Sequence, residues 1–284
     1  MYAIAGVSGH TGAVVASTLL AAGKPVRVIV RDAAKGEPWK AKGAEVAIAS
    51  LDDRAALAAA LKGADGAYLL LPPNGFGETN IPANRARTTA SLLGAVADAR
   101  PAHVVFLSSI GVQHESGTGP IQYLKPVEDG LRASGVPSTF LRASSFMENW
   151  GAMLQGALAG GALYHPQAVR APQVATADIG KTAAGLLLEG APKETRVVNI
   201  TGPADLTLDD VSAALSKVSG KEIKAVQVPP SGMIEALVGM GASRELAEMY
   251  GEMTVALNAN KLVWEGEPLR GTVTIEQRLR ELLA

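Results

Sequence analysis

Apolar residues arrive in two rhythms along this chain. Short, nearly continuous runs occur at Tyr2-Ala-Ile-Ala5, Val26-Arg-Val-Ile-Val30, Glu45-Val-Ala-Ile-Ala49, Gly66-Ala-Tyr-Leu-Leu-Leu71, His103-Val-Val-Phe-Leu107 and Ser138-Thr-Phe-Leu-Arg142. Such runs suit strands buried on both faces of a parallel sheet. Between them lie helical segments: one opening near residue 13, an Ala-rich one over 54–61 with Asp53 as its cap, one from about 81 to 98, and one over about 121–134. Pro72-Pro73 closes the fourth strand, and the glycine-punctuated loop 74–80 follows it. Strands alternating with helices at this spacing imply right-handed crossovers, hence an α/β fold with a doubly wound parallel sheet. After Trp150 the rhythm loosens into the small-residue stretch 151–161, a short strand near 197–200, and helices near 207–218 and 231–256. Thr207-Leu-Asp-Asp210 has capping-box spacing. The pattern predicts one unit over 1–150 and a smaller, mainly helical substrate or cover region over 151–284, interleaved with the sheet near 197–200.

The first strand runs into Gly6-Val-Ser8-Gly9-His10-Thr11-Gly12 and then straight into a helix. Glycine permits positive φ and a close backbone approach. A helix that opens after such a turn presents free N–H groups and the positive end of its dipole, which suits a pyrophosphate. G-x-x-G-x-x-G is a variant of the dinucleotide fingerprint. His10 reads as a flank to the phosphates. The second strand ends in Arg31-Asp32, where this kind of fold meets the adenosine ribose. An Arg there favours a 2′-phosphate, with Lys35 as helper, so NADP(H) is expected over NAD(H). The alternative is a solvated charge at a strand end.

Ligands of doubly wound sheets bind beyond the carboxyl ends of the strands. That rule gathers the glycine turn, Arg31, Ser50 and Leu51 (placed to line the adenine), Leu71, Pro72, Ser108, Ser109 and residues 143–146 around one crevice. Phe146 would cover the nicotinamide, and the Ser108 and Ser109 hydroxyls would bond a carbonyl or the nicotinamide amide. Met233, Met240, Met249 and Met253 read either as a pliable substrate pocket or as ordinary helix core.

Composition narrows the field. The 284 residues carry a formal charge of −1, with no basic patch or helix-turn-helix pattern for nucleic acid. No apolar run is long enough to cross a membrane. The chain starts inside its first strand, which leaves no room for a signal peptide. Cysteine is absent and the four histidines are scattered, so no metal is expected, and a cytoplasmic location is compatible with this make-up.

Four stretches together resemble the NmrA-like family of atypical short-chain dehydrogenases/reductases, with their Rossmann-like fold. They are Gly6–Gly12, Val28-Ile-Val-Arg31, Phe106-Leu-Ser-Ser-Ile-Gly111, and Glu128–Arg142 leading to Phe146-Met-Glu-Asn149. The resemblance covers about the first 150 residues. It implies NADP(H) binding, either in an NADPH-dependent reductase of quinones and related acceptors or in a non-catalytic NADP(H) redox sensor. A homodimer or a regulatory protein partner belongs with the second of these.

Active short-chain dehydrogenases place Tyr and Lys four residues apart, one helical turn, so that the ammonium lowers the phenol's pKa and the phenol acts as general acid. Here Tyr123 and Lys125 are two apart, separated by roughly 200° around an α-helix. Alignment on Glu128 puts Pro120 and Leu124 at the dyad positions, and neither moves a proton. Tyr123, Lys125 and the loop residue His114 remain the candidate catalytic side chains. Lys125 reads as a ribose or carbonyl ligand in a bent N-terminal turn, or as a surface lysine; in a third reading Tyr123 faces the site and Lys125 lies outside. A quinone-like or conjugated carbonyl acceptor suits a site without the dyad, because its reduced anion is delocalised and water can protonate it.

Overall fold

A computed structural model describes residues 1–73 and 75–284; residue 74, the first of the predicted 74–80 loop, lies outside the described residues. The strands are β1 (Tyr2–Ala5), β2 (Val26–Val30), β3 (Glu45–Ile48), β4 (Gly66–Leu70), β5 (Val104–Ser109), β6 (Ser138–Ala143), β7 (Ser145–Phe146), β8 (Ala162–His165), β9 (Ala171–Val174), β10 (Arg196–Thr201), β11 (Asp205–Leu206), β12 (Lys224–Gln227) and β13 (Leu269–Arg270). The helices are α1 (His10–Ala21), α2 (Ala33–Lys40), α3 (Arg54–Leu61), α4 (Ile81–Ala99), α5 (Lys125–Ser134), α6 (Gly151–Gly160), α7 (Thr176–Glu189), α8 (Leu208–Ser219), α9 (Pro230–Gly239), α10 (Arg244–Asn258) and α11 (Ile275–Leu283). None of the helices is long and apolar enough to cross a membrane, among the described residues.

Eight strands form one sheet in the order β13-β10-β6-β5-β4-β1-β2-β3, and every neighbouring pair is parallel. Successive strand residues face opposite sides. Ile4, Val28, Val30, Tyr68, Val105 and Leu141 join Val15, Leu19, Ile179, Ala183 and Leu187 of α1 and α7 on one face. Ala3, Ala5, Ile29, Leu69, Phe106 and Phe140 join Leu57, Leu61, Leu92, Val96 and Leu131 of α3, α4 and α5 on the other. Burial of each of these Val, Leu, Ile or Phe side chains is worth roughly 1.5–3 kcal/mol. The direction of winding reverses between β1 and β4, which opens the crevice there.

The second half of the chain is more ordered than its loose patterning suggests. It supplies β10 and β13 to the main sheet, two small sheets ordered β11-β9-β7 and β12-β8, and a further core of Trp150, Leu154, Leu163, Val211, Leu215 and Leu279. Helices α2, α6, α7 and α11 lie where no helix is expected from the sequence. The expected helix 231–256 is two, α9 and α10, broken at Gly241, whose φ of +95° no ordinary helical residue adopts. The expected helix 121–134 is also two elements: a 3-10 helix, Gly119–Leu124, runs into α5 with Pro126 in its first turn. Asp53 caps α3, and the Thr207–Asp210 capping box is formed.

A buried ion network ties these parts together behind the crevice. Arg142 of β6 donates to both Glu128 oxygens (3.0 and 2.7 Å) and pairs with Glu265, while the Ser108 hydroxyl donates to Glu128 at 2.6 Å. Arg142 and Glu128 are almost wholly buried. Removing one partner strands the other charge, so Arg142→Met should lower unfolding stability in urea by about 3 kcal/mol. Loss below about 1 kcal/mol would show the pair to be solvated. Arg142→Met combined with Glu128→Leu should recover part of the loss.

His103 is wholly buried, with Nε2 3.0 Å from the Thr139 hydroxyl, and burial pushes its pKa down to about 4. The folded chain therefore holds it neutral, whereas the unfolded chain takes up a proton near about pH 6.5. Its contribution to stability is complete above that pH and is lost as pH falls towards about 4. Urea midpoints of wild type and His103→Gln should accordingly converge over that interval; parallel profiles would contradict the assignment.

Candidate functional site

The crevice begins with the glycine turn. Gly6 has φ +71°, and a Cβ on it would lie 2.5 Å from Leu70 Cδ2. A Cβ on Gly12 would lie 2.5 Å from the Ala5 and Gly6 carbonyl oxygens, so the first turn of α1 sits directly against the end of β1. Gly9 is the extended N-cap of α1, its own N–H bonded to the Gly6 carbonyl at 2.9 Å. No side chain caps α1, and no acidic residue lies in its first turn. Side chains answer several other helix starts: Asp32, Asp53 and Ser243 cap α2, α3 and α10, Glu245 accepts from Ile81 N at the start of α4, and Glu148 accepts from Thr176 N at the start of α7, whereas α5, α6 and α9 share with α1 the lack of a side-chain cap. The first N–H groups of α1 are left for a ligand. Ser8 and His10 are exposed beside them. Thr11 is not: its buried hydroxyl accepts from Tyr68 at 2.9 Å, so only its backbone is on offer.

Arg31 and Lys35 are exposed, and their side chains have no hydrogen-bond or ion-pair partner among the described residues. The neighbouring Asp32 directs Oδ1 to Ala34 N at 2.9 Å. Ser50 accepts from Asp52 N, and half-buried Leu51 packs on the α3 side of the core. Phe146, in β7, packs against the α1 side of the core.

A cleft of about 170 Å³ lies at the ends of β4 and β5. Leu71, Pro72 and Ser109 come from the strand ends, Pro120, Tyr123 and Leu124 from the 3-10 helix, Arg85 from α4 and Tyr250 from α10. Glu245 and Glu252 hold α10 over the cleft by accepting from Ile81 N and Gly119 N. Burial pushes the Tyr250 phenol up, with Arg85 opposing. Burial also pushes Tyr123 up, reinforced by the Glu245 and Glu252 carboxylates and opposed by Arg85. Both phenols are thus donors at neutral pH, and neither hydroxyl bonds another described residue.

Several expected residues are engaged elsewhere. The Lys125 ammonium pairs with Asp129 at 2.7 Å one turn along α5, outside the cleft that Tyr123 borders. His114 Nε2 lies 2.8 Å from the Lys261 carbonyl. The Ser108 hydroxyl turns into the buried Glu128 network, leaving Ser109 as the serine at the cleft. None of the four methionines borders it: Met249 is buried with Ile81 and Leu246, and Met240 is 62% exposed. Arg85 and Tyr250 went unsingled in the sequence, although an arginine on the inner side of the helix after Pro72-Pro73 is the signal that marks it.

An open parallel sheet with an uncapped, glycine-lined helix at its switch point defines a nucleotide-binding α/β protein. Residues 2–271 match the NmrA-like family model, and the chain belongs to that family. Among its relatives, it is 27% identical to an NAD(P)H azoreductase of Xenophilus azovorans over 254 residues, 89% of this chain and 86% of that one. A (4-alkanoyl-5-oxo-2,5-dihydrofuran-3-yl)methyl phosphate reductase of Streptomyces griseus is 31% identical over 228 residues, 79% of this chain and 76% of that one. The crystal structure of an NADPH-dependent quinone oxidoreductase of Escherichia coli complexed with NADPH superposes with a TM-score of 0.85 at 25% identity, covering 100% of each chain.

The close approach at Gly12 makes a stability prediction that needs no ligand. Gly12→Ala forces a methyl group into two backbone carbonyls, and α1 must lift from β1, at a cost of about 1–3 kcal/mol. Thermal unfolding should show a lower midpoint; an unchanged midpoint would mean that the turn has slack.

Proposed function

We propose that this protein is an NADPH-dependent reductase that delivers hydride to a quinone-like or otherwise conjugated carbonyl acceptor. The observation that carries the reading is the uncapped N-terminus of α1, with its glycine cradle, beside an apolar cleft that holds phenols but no Tyr-x-x-x-Lys dyad. The reductase names and the bound NADPH of the relatives support it.

The backbone of residues 6–12 holds the pyrophosphate, and Arg31, with Lys35 beside it, holds the 2′-phosphate that distinguishes NADP(H). Ser50 and Leu51 line the adenine side. Leu71, Pro72, Ser109 and Phe146 place and shield the nicotinamide, whose reduced form supplies the hydride. Residues 151–284 cover the acceptor, and α10 closes its cleft. Tyr123 is the catalytic candidate that faces the acceptor; Lys125 and His114 stay outside, so Lys125→Ala and His114→Ala should leave turnover within about twofold. A delocalised acceptor anion needs no dedicated acid, because solvent at the cleft mouth can protonate it.

Purified protein mixed with NADPH and a panel of small quinones tests this directly, read as loss of NADPH absorbance. Turnover above the spontaneous rate is expected, and nucleotide binding without turnover of any acceptor would overturn the reductase reading. Arg31→Asp should weaken NADP(H) binding by at least ~1–2 kcal/mol, about tenfold, while sparing NAD(H). An unchanged preference would retire Arg31 from the role.

A further inference from the structure

Arg85 sits in an unusual position for an arginine. Its side chain is only 8% exposed, and it borders the cleft on one side and Glu78 on the other. Nη1 donates to the Pro72 carbonyl at 2.8 Å, and Nη2 lies 3.7 Å from Glu78. Nε is buried and has no partner among the described residues. An unpaired N–H on a buried guanidinium is costly, and it needs a reason in a native structure.

That Nε has no surface open to the cleft, so the rest of the lining sets what the cleft can bind. The other cleft residues are Leu, Pro, Ile, Ser109 and the two tyrosines, and none is a carboxylate. The Ser109 hydroxyl donates to the Ile110 carbonyl. Around this apolar space stand two phenol donors and a guanidinium whose charge Glu78 partly offsets at 3.7 Å, with the Glu245 and Glu252 carboxylates acting on Tyr123 from behind. Such a pole attracts one kind of group, an oxygen that carries or develops negative charge.

We propose that Arg85, flanked by Tyr123 and Tyr250, forms an oxyanion-holding pole in the acceptor cleft. This inference rests on the reductase reading and deepens it. Hydride adds its two electrons at one end of a conjugated acceptor, the π pair shifts to the oxygen at the other end, and that oxygen then takes one proton from solvent. Arg85 touches that oxygen and is a catalytic residue, whereas Tyr123 and Tyr250 donate to it and fix its place. The substrate class follows: acceptors whose reduction leaves charge on oxygen, such as quinones and enones, and not those whose reduction develops no oxyanion.

A readout independent of turnover tests this. The probe is 4-nitrophenol, whose ionisation is followed by absorbance in titrations with wild-type protein, free and with NADP⁺ added. Bound at a cationic pole, the dye should ionise more readily than in water, its ionisation constant raised about tenfold or more. Arg85→Gln should abolish the shift, Arg85→Lys should keep most of it, and Tyr250→Phe should weaken dye binding several-fold. Because Arg85 also supports the Pro72 carbonyl, Tyr250→Phe provides an arm that leaves that bond in place. Failure of wild type to bind the dye, or an undiminished shift in Arg85→Gln, would overturn the proposal. An Arg85-dependent shift without quinone turnover would keep the pole and reject the reductase. Robust turnover with no Arg85 dependence in either measurement would do the reverse.

Discussion

The nearness of one helix to one strand governs the functional end of this molecule. The first turn of α1 lies so close to the carbonyls of Ala5 and Gly6 that position 12 has no room for a Cβ. That approach leaves the start of α1 at the end of β1, beside the point where the sheet reverses its winding, with no side chain capping it. Backbone N–H groups and a helix dipole are fixed charges that need no reorganisation to meet an anion. The remaining polar groups of the crevice are arranged in relation to that fixed end.

Carboxylates fix several of the other elements around the crevice. Glu148 of the Phe146-Met-Glu-Asn149 motif accepts from both the backbone N and the hydroxyl of Thr176, and so seats α7. Glu245 and Glu252 seat α10 against α4 and the 3-10 helix, and Glu128 is enclosed by Arg142 and Ser108. Glu128 and Glu148, two residues of the stretches that carry the family resemblance, thus serve the scaffold. The cleft is left with few polar groups, and those are donors: a guanidinium and two protonated phenols.

The sheet was legible because buried parallel strands advertise themselves as apolar runs, and all six such runs are strands β1 to β6. Helix α7 was not, since Gly180 and Gly185 dilute its helical signal. Gly180 is there because a Cβ would meet Val14 at 2.5 Å, a demand of the α1–α7 contact that no local pattern reveals. The same limit applies at residues 119–134. A reading of one regular helix missed the 3-10 segment that turns Tyr123 into the cleft and leaves Lys125 beside Asp129. Ser108 and Ser109 are indistinguishable in sequence, yet adjacent strand residues face opposite ways, and only one reaches the cleft. The helical pattern after Pro72-Pro73 puts Arg85 on the inner side of α4, but its burial beside the cleft emerges only in the folded chain.

Calorimetric titration of the wild-type protein with NADPH and with NADH tests the account at its root. Saturable binding of one nucleotide per chain is expected, with NADPH favoured by about tenfold or more, the weight of a phosphate contact at Arg31. Heat of dilution alone with both nucleotides would contradict it, because the bare end of α1 would then have no ligand to explain it.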